Sequence, residues 1–196
     1  MNRYLCEFVG TFLMVLIGCS TIALGWSSLF VSISFGFAVF LAIYIFQPYS
    51  GAHINPAVSI AFAINGDLEM KHLPGYVLCQ ILGGWCAASI VLDGATTYSV
   101  DYHEAWIIEI AITLLLMYSI YILVNKNVNL VTLAFGVGFM VGLLAFIFGS
   151  YTGASMNPAR SIGPNFVTDS GNYLLYVVAP IIGAIAANFI YQPVEE

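Results

Sequence analysis

Apolar runs of about twenty residues recur along the chain, separated by short polar breaks. Six are long enough to cross a bilayer as helices: Phe8–Gly25, Leu29–Phe46, Pro74–Leu92, Ala105–Val124, Val128–Gly149 and Tyr173–Gln192. Small residues within them, as in Gly138-x-x-x-Gly142 and Ala179-x-x-x-Gly183, allow close helix packing. Two further apolar runs, "AVSIAFAI" and "ARSIGPNF", suffice only for half a span. The pattern predicts an all-α membrane protein of six transmembrane helices and two shorter ones.

Composition agrees. The chain is 61% hydrophobic and 7% charged, against about 25% charged in a soluble domain. Four Lys+Arg cannot form the basic stripe that phosphate binding needs, so nucleic acid is excluded as a partner. Cys6, Cys19, Cys79 and Cys86 lie in apolar stretches with no CxxC pair or His cluster, which reads as buried free thiols. No nucleophile–base–orienter set or metal cluster converges, so neither an enzyme nor a cofactor is expected.

Arg3 before an apolar run resembles a signal peptide, and Leu16–Cys19 resembles a lipoprotein cleavage box. Glu7 interrupts the start of that run and argues for a retained span. With six spans, Arg3, Lys71 and Lys126 all fall on the side of the termini, and the acidic segment Asp93–Glu104 falls opposite. The positive-inside rule then puts both termini in the cytoplasm; Glu195 and Glu196 contribute little to it.

The chain echoes itself. "GAHINPAVS" from Gly51 matches "GASMNPARS" from Gly153 at six of nine positions, 102 residues later. Glu7 and Glu109 each stand 48 residues before the asparagine of their copy, and Gly36 and Gly138 keep the same offset. Residues 1–102 and 103–196 therefore read as repeats within one transmembrane domain. Each repeat has three spans, so the second enters the membrane from the opposite side, an inverted 3+3 arrangement.

Within each copy, Asn is a strong N-cap, Pro is pre-set for the first helical position, and Ala propagates the helix. One copy of Asn55-Pro56-Ala57 would signify only a helix start. A second, Asn157-Pro158-Ala159, in the same register implies two half-helices whose N-termini abut at the midplane. Non-helical backbone at that depth must line a cavity or be buried in protein. Gly51–Ile54 and Gly153–Met156 supply it, and their carbonyls, among them those of Gly51, Ala52, His53, Gly153 and Ser155, form a ladder of acceptors along a pore. Two helix N-termini add roughly half a positive charge each and repel cations. The Asn55 and Asn157 amides offer donors to a passing oxygen, which interrupts a proton wire. Small neutral molecules are the expected cargo.

These motifs resemble the aquaporin/glycerol-facilitator (major intrinsic protein) family over nearly the whole chain. The resemblance rests on the twin Asn-Pro-Ala motifs, the "NPARS" extension, Glu7 and Glu109, and the inverted repeat. It implies a right-handed bundle assembled as a homotetramer in lipid, with one pore per subunit. It assigns a selectivity filter to Phe35, Ala145, Ala154 and Arg160, and gives Glu7 and Glu109 the role of supporting the re-entrant loops. Arg160 is also singled out physically, because an intramembrane Arg is costly and marks a site, and its charge and donors suit a filter. Water-strict members carry His where this chain has Ala145, and Cys or Thr where it has Ala154; glycerol facilitators resemble "NPARD", whereas this chain has Ser161. The family's aromatic pair before the last-span proline is present in part, as Tyr176 followed by Val177.

The expectation is a water channel whose widened filter also passes other small neutral solutes. The alternative is a facilitator for glycerol, urea, ammonia or hydrogen peroxide. A secondary transporter shares inverted repeats and broken helices, but spans 2, 3, 5 and 6 carry no acid for a coupling ion. His53 is expected to brace its loop, and His72 and His103 to lie in loops on opposite sides.

Overall fold

The computed structural model describes residues 1–191. Among them are eight α-helices: α1 Arg3–Ala23, α2 Ser28–Ser50, α3 Pro56–Asn65, α4 Leu73–Val91, α5 Tyr102–Asn125, α6 Leu130–Thr152, α7 Pro158–Val167 and α8 Tyr173–Ile190. Six are long and apolar enough to span a membrane. The other two, α3 and α7, have ten residues each, about 15 Å of rise, or half a hydrocarbon core. Large apolar side chains such as Phe135, Phe139 and Phe189 are exposed, which suits hydrocarbon as solvent.

Several helices run past the apolar stretch that announces them. The Asn2 side chain accepts from the Tyr4 and Leu5 amides, so α1 starts at Arg3 rather than Phe8 and carries Glu7 inside a helix. Asp101 and Glu104 form a capping box that starts α5 three residues before Ala105. The helices α2 and α6 continue beyond Phe46 and Gly149 until Gly51 (φ 84°) and Gly153 (φ 73°) end them in the left-handed region. Hydropathy reports where lipid contact ends, whereas caps decide where the helix ends. The expected end of the sixth span at Gln192, with Glu195 and Glu196, lies outside the described residues.

Glycines set the helix crossings, and they do so in pairs. A methyl on Gly83 of α4 would stand 2.4 Å from the Phe8 carbonyl oxygen of α1; one on Gly183 of α8 would stand 2.3 Å from that of Ile110 in α5. Gly36 of α2 and Gly138 of α6 face one another, each leaving no room for a Cβ against the other's carbonyl oxygen (2.6 and 2.5 Å). Residues 102 apart thus meet where α2 crosses α6, as expected if the pseudo-two-fold axis of the repeat passes between them. Backbone at this separation excludes any side chain.

Candidate functional site

The chain enters each half-helix through an extended asparagine. Asn55 (φ −156°) and Asn157 (φ −152°) turn their Oδ1 atoms onto the amides of Ala57 (2.9 Å) and Ala159 (3.0 Å). Fixing Oδ1 fixes Nδ2, which points across to the other repeat. Asn55 Nδ2 donates to Met156 O (2.8 Å) and Asn157 Nδ2 to Ile54 O (2.9 Å). Two reciprocal bonds therefore hold the N-termini of α3 and α7 against each other.

This revises two expectations. Each asparagine commits one of its two N–H donors to the opposite loop, and the second of Asn157 has Met14 Sδ at 3.7 Å. The Ile54 and Met156 carbonyls, expected to join the acceptor ladder, are already engaged. The carbonyls of Gly51, Ala52, His53, Gly153, Ala154 and Ser155 accept no hydrogen bond from the described residues, and these residues line a central cavity of about 570 Å³.

The two loops adopt strained backbone in the same pattern. Ala52 and Ile54, and likewise Ala154 and Met156, have positive φ between 42° and 52°, a conformation that persists only when surroundings over-determine it. Buried carboxylates do so. Glu7 accepts from Ser50 Oγ (2.7 Å), His53 N (3.0 Å), Ile54 N (2.6 Å) and Gln80 Nε2 (2.8 Å). Glu109 accepts from Thr152 Oγ1 (2.7 Å), Ser155 N (2.9 Å) and Met156 N (3.0 Å). Both are fully buried. Turning these amides toward the glutamates leaves the His53 and Ser155 carbonyls unbonded, while those of Ile54 and Met156 accept from the opposite asparagine.

The copying extends to residues that the motif does not mark. Ser50 and Thr152, which are 102 apart, each donate to a glutamate and accept from the amide two residues on. Tyr76 and Tyr176 donate to the Ser50 and Thr152 carbonyls (2.7 and 2.9 Å). Tyr176, read from the sequence as half of an aromatic pair, is thus a buried brace. His53 packs against Phe62 and Tyr76, with Nδ1 3.1 Å from Ser59 Oγ, in the bracing position expected of it.

Phe35, Ala145, Ala154 and Arg160 all line the same cavity. The Arg160 side chain is not extended to an interface. It is 5% exposed, its Cζ lies 4.9 Å from the Phe35 ring centroid, and Nη1 donates to Gly94 O (2.8 Å) and Thr96 Oγ1 (2.7 Å). Among the described residues it has no ion-pair partner. The acidic loop after α4, expected merely to face outward, folds into the mouth of the cavity. Asn165 clamps Thr96 at both N and O (2.7 and 2.9 Å), and Ser161 bridges Thr96 to Ser155 (2.8 and 2.5 Å). Thr96, Asn165 and Gln80 carried no signal in the sequence, since none repeats and none sits in a motif.

Smaller departures concern thiols and histidines. Cys6 and Cys19 are buried, but Cys79 and Cys86 are only half-buried on α4. His72 ends a 3-10 turn before α4, with Nδ1 2.8 Å from Tyr4 Oη, and His103 lies exposed in the first turn of α5 rather than in a loop.

Comparison with known proteins follows the same lines. The family model described as "Major intrinsic protein" matches residues 1–191. The chain is 35% identical over 211 residues to "Aquaporin NIP1-1" of Zea mays, covering 98% of this chain and 74% of that one. It is 32% identical over 207 residues to "Glycerol uptake facilitator protein-like 6" of Lactiplantibacillus plantarum, covering 96% of each. The solved aquaglyceroporin of Plasmodium falciparum superposes with a TM-score of 0.89 at 26% identity, covering 96% of this chain and 94% of that one.

Proposed function

The chain belongs to the major intrinsic protein family, and we propose that it is a passive channel for water whose widened filter also passes other small neutral solutes. It is an integral membrane channel and not an enzyme. We read it as one domain with repeats at 1–102 and 103–196, a homotetramer in the cell membrane with both termini cytoplasmic, by the distribution of Arg3, Lys71 and Lys126.

The observation that carries the reading is the lining of the cavity where Arg160 sits. The guanidinium spends Nη1 on Gly94 and Thr96, which leaves Nε and Nη2 as donors to a permeant oxygen. Phe35 forms an apolar wall beside it, and Ala145 and Ala154 add no donor and little bulk. Arg160 and the two abutting helix N-termini repel cations. The paired asparagines bind the two half-helices together and leave one N–H of Asn55 to orient the file, that of Asn157 lying against Met14 Sδ.

The two alanines also favour a second reading, a solute facilitator with water secondary, and the bacterial and Plasmodium relatives are named for glycerol. Stopped-flow light scattering of proteoliposomes separates the two. Rapid shrinkage under an impermeant osmolyte is expected, with re-swelling under glycerol slower than water flux. Re-swelling that keeps pace with water would establish the facilitator reading. No response above empty liposomes would overturn both.

A further inference from the structure

Gly18 of α1 belongs to neither asparagine motif, yet the three atoms nearest to where its methyl would be all belong to Phe35. That methyl would stand 2.2 Å from Cε1 and 2.4 Å from Cδ1 and Cζ. The ring therefore rests against bare helix backbone, while its face carries the Arg160 guanidinium and it lines the cavity. Carbon atoms in ordinary contact lie about 3.5–4.0 Å apart. An alanine at this position would need the ring to retreat by about 1.3–1.8 Å, and the cavity is the open space beside the ring.

The other repeat shows the opposite choice. The residues 102 positions on from Gly18 and Phe35 are Ile120 and Val137, both lining the same cavity. The first repeat combines nothing on its first helix with a large aromatic on its second. The second repeat combines a large aliphatic with a smaller one. Bulk has been exchanged between helices, so that α2 turns an aromatic ring into the cavity where α6 turns Val137, and Gly18 makes room for that ring.

We propose that Gly18 is a specificity-determining position: it seats the Phe35 ring back from the lumen and so holds the filter wide enough for solutes larger than water. Gly18 is a positioning residue acting through Phe35, and the inference rests on the channel reading above. Its test is a cycle of Gly18→Ala, Phe35→Ala and the double variant in proteoliposomes. The readout is the ratio of solute to water permeability, using the largest of glycerol, urea and hydrogen peroxide that the wild type passes. Gly18→Ala is expected to lower that ratio about tenfold, the low end of what one methylene of fit discriminates. In the Phe35→Ala background the same change should leave the ratio where Phe35→Ala put it, because the atom that clashed is gone.

An unchanged ratio in Gly18→Ala, an equal loss in both backgrounds, or a wild type that passes water and none of the three solutes would overturn the proposal. Should Gly18→Ala yield no conducting protein, the double variant decides. Conduction equal to Phe35→Ala supports the ring as the obstacle, and no conduction shows that Gly18 packs against something else. A wild type silent to water and solutes alike would instead refute the channel reading, which is a distinguishable result.

Discussion

Replacing Arg160 by alanine tests whether a fixed charge in the proposed filter excludes cations. Its guanidinium has no ion-pair partner among the described residues, so no contact neutralises its charge. The Phe35 centroid, 4.9 Å from Cζ, marks how near another occupant of the filter lies. A monovalent cation at that distance meets a repulsion of about 3.4 kcal/mol at an effective dielectric of 20. Removing it should raise cation and proton entry roughly a hundredfold or more, at 1.4 kcal/mol per decade. The helix N-termini remain as a second barrier, so the leak should stay well below that of an open pore. The assay is the decay of a pH gradient across proteoliposomes, read by an entrapped dye, with water flux recorded on the same vesicles. Alanine also takes one donor from each of Gly94 O and Thr96 Oγ1, so Thr96→Val serves as the control: it loosens the clamp and keeps the charge. The leak is expected in Arg160→Ala and not in Thr96→Val. Equal proton flux in wild type and Arg160→Ala, with water flux maintained, would refute the electrostatic reasoning, and a leak in both would assign it to the loop.

Two further outcomes follow from the doubled framework. Ser50→Ala and Thr152→Ala each remove one hydrogen bond to a buried carboxylate and one accepted from a loop amide. Each should cost about 2–4 kcal/mol, which lowers the melting temperature in detergent by roughly 4–16 °C at 2–4 °C per kcal/mol, and the two shifts should agree closely; a large effect from one alone would show that the loops are not equivalently held. Gly36→Leu places a side chain where the Gly138 carbonyl oxygen stands 2.6 Å from the first carbon. Neither backbone can yield, so loss of monodisperse protein on size-exclusion chromatography is expected, whereas a normal elution profile would mean that α2 and α6 separate readily.

Much of the fold was legible beforehand. Six spans could be counted because hydrocarbon thickness sets a length that any apolar run either meets or fails. The half-helices at Pro56 and Pro158 were legible because Asn and Pro state a local backbone requirement, and repetition at 102 residues separated it from chance. Glu7 and Glu109 were legible for the same reason. Helix ends were less so: Asn2, Asp101, Gly51 and Gly153 set them through caps that hydropathy ignores.

The rest needed the chain to be folded. That Asn55 and Asn157 each give a donor to the opposite loop depends on residues 101 and 103 positions apart. That Thr96 and Asn165 hold Arg160, or that Phe35 rests on Gly18, depends on side chains brought together by helix crossings. The sequence by itself determined what each segment must be: spanning, half-spanning, repeated, inverted. Those properties follow from local chemistry and from self-comparison along one dimension. Only the tertiary structure decided which groups satisfy one another and which side chains share the cavity. Hydrogen-bond partners and steric gaps are set by distances in space, and no periodicity along the chain encodes them.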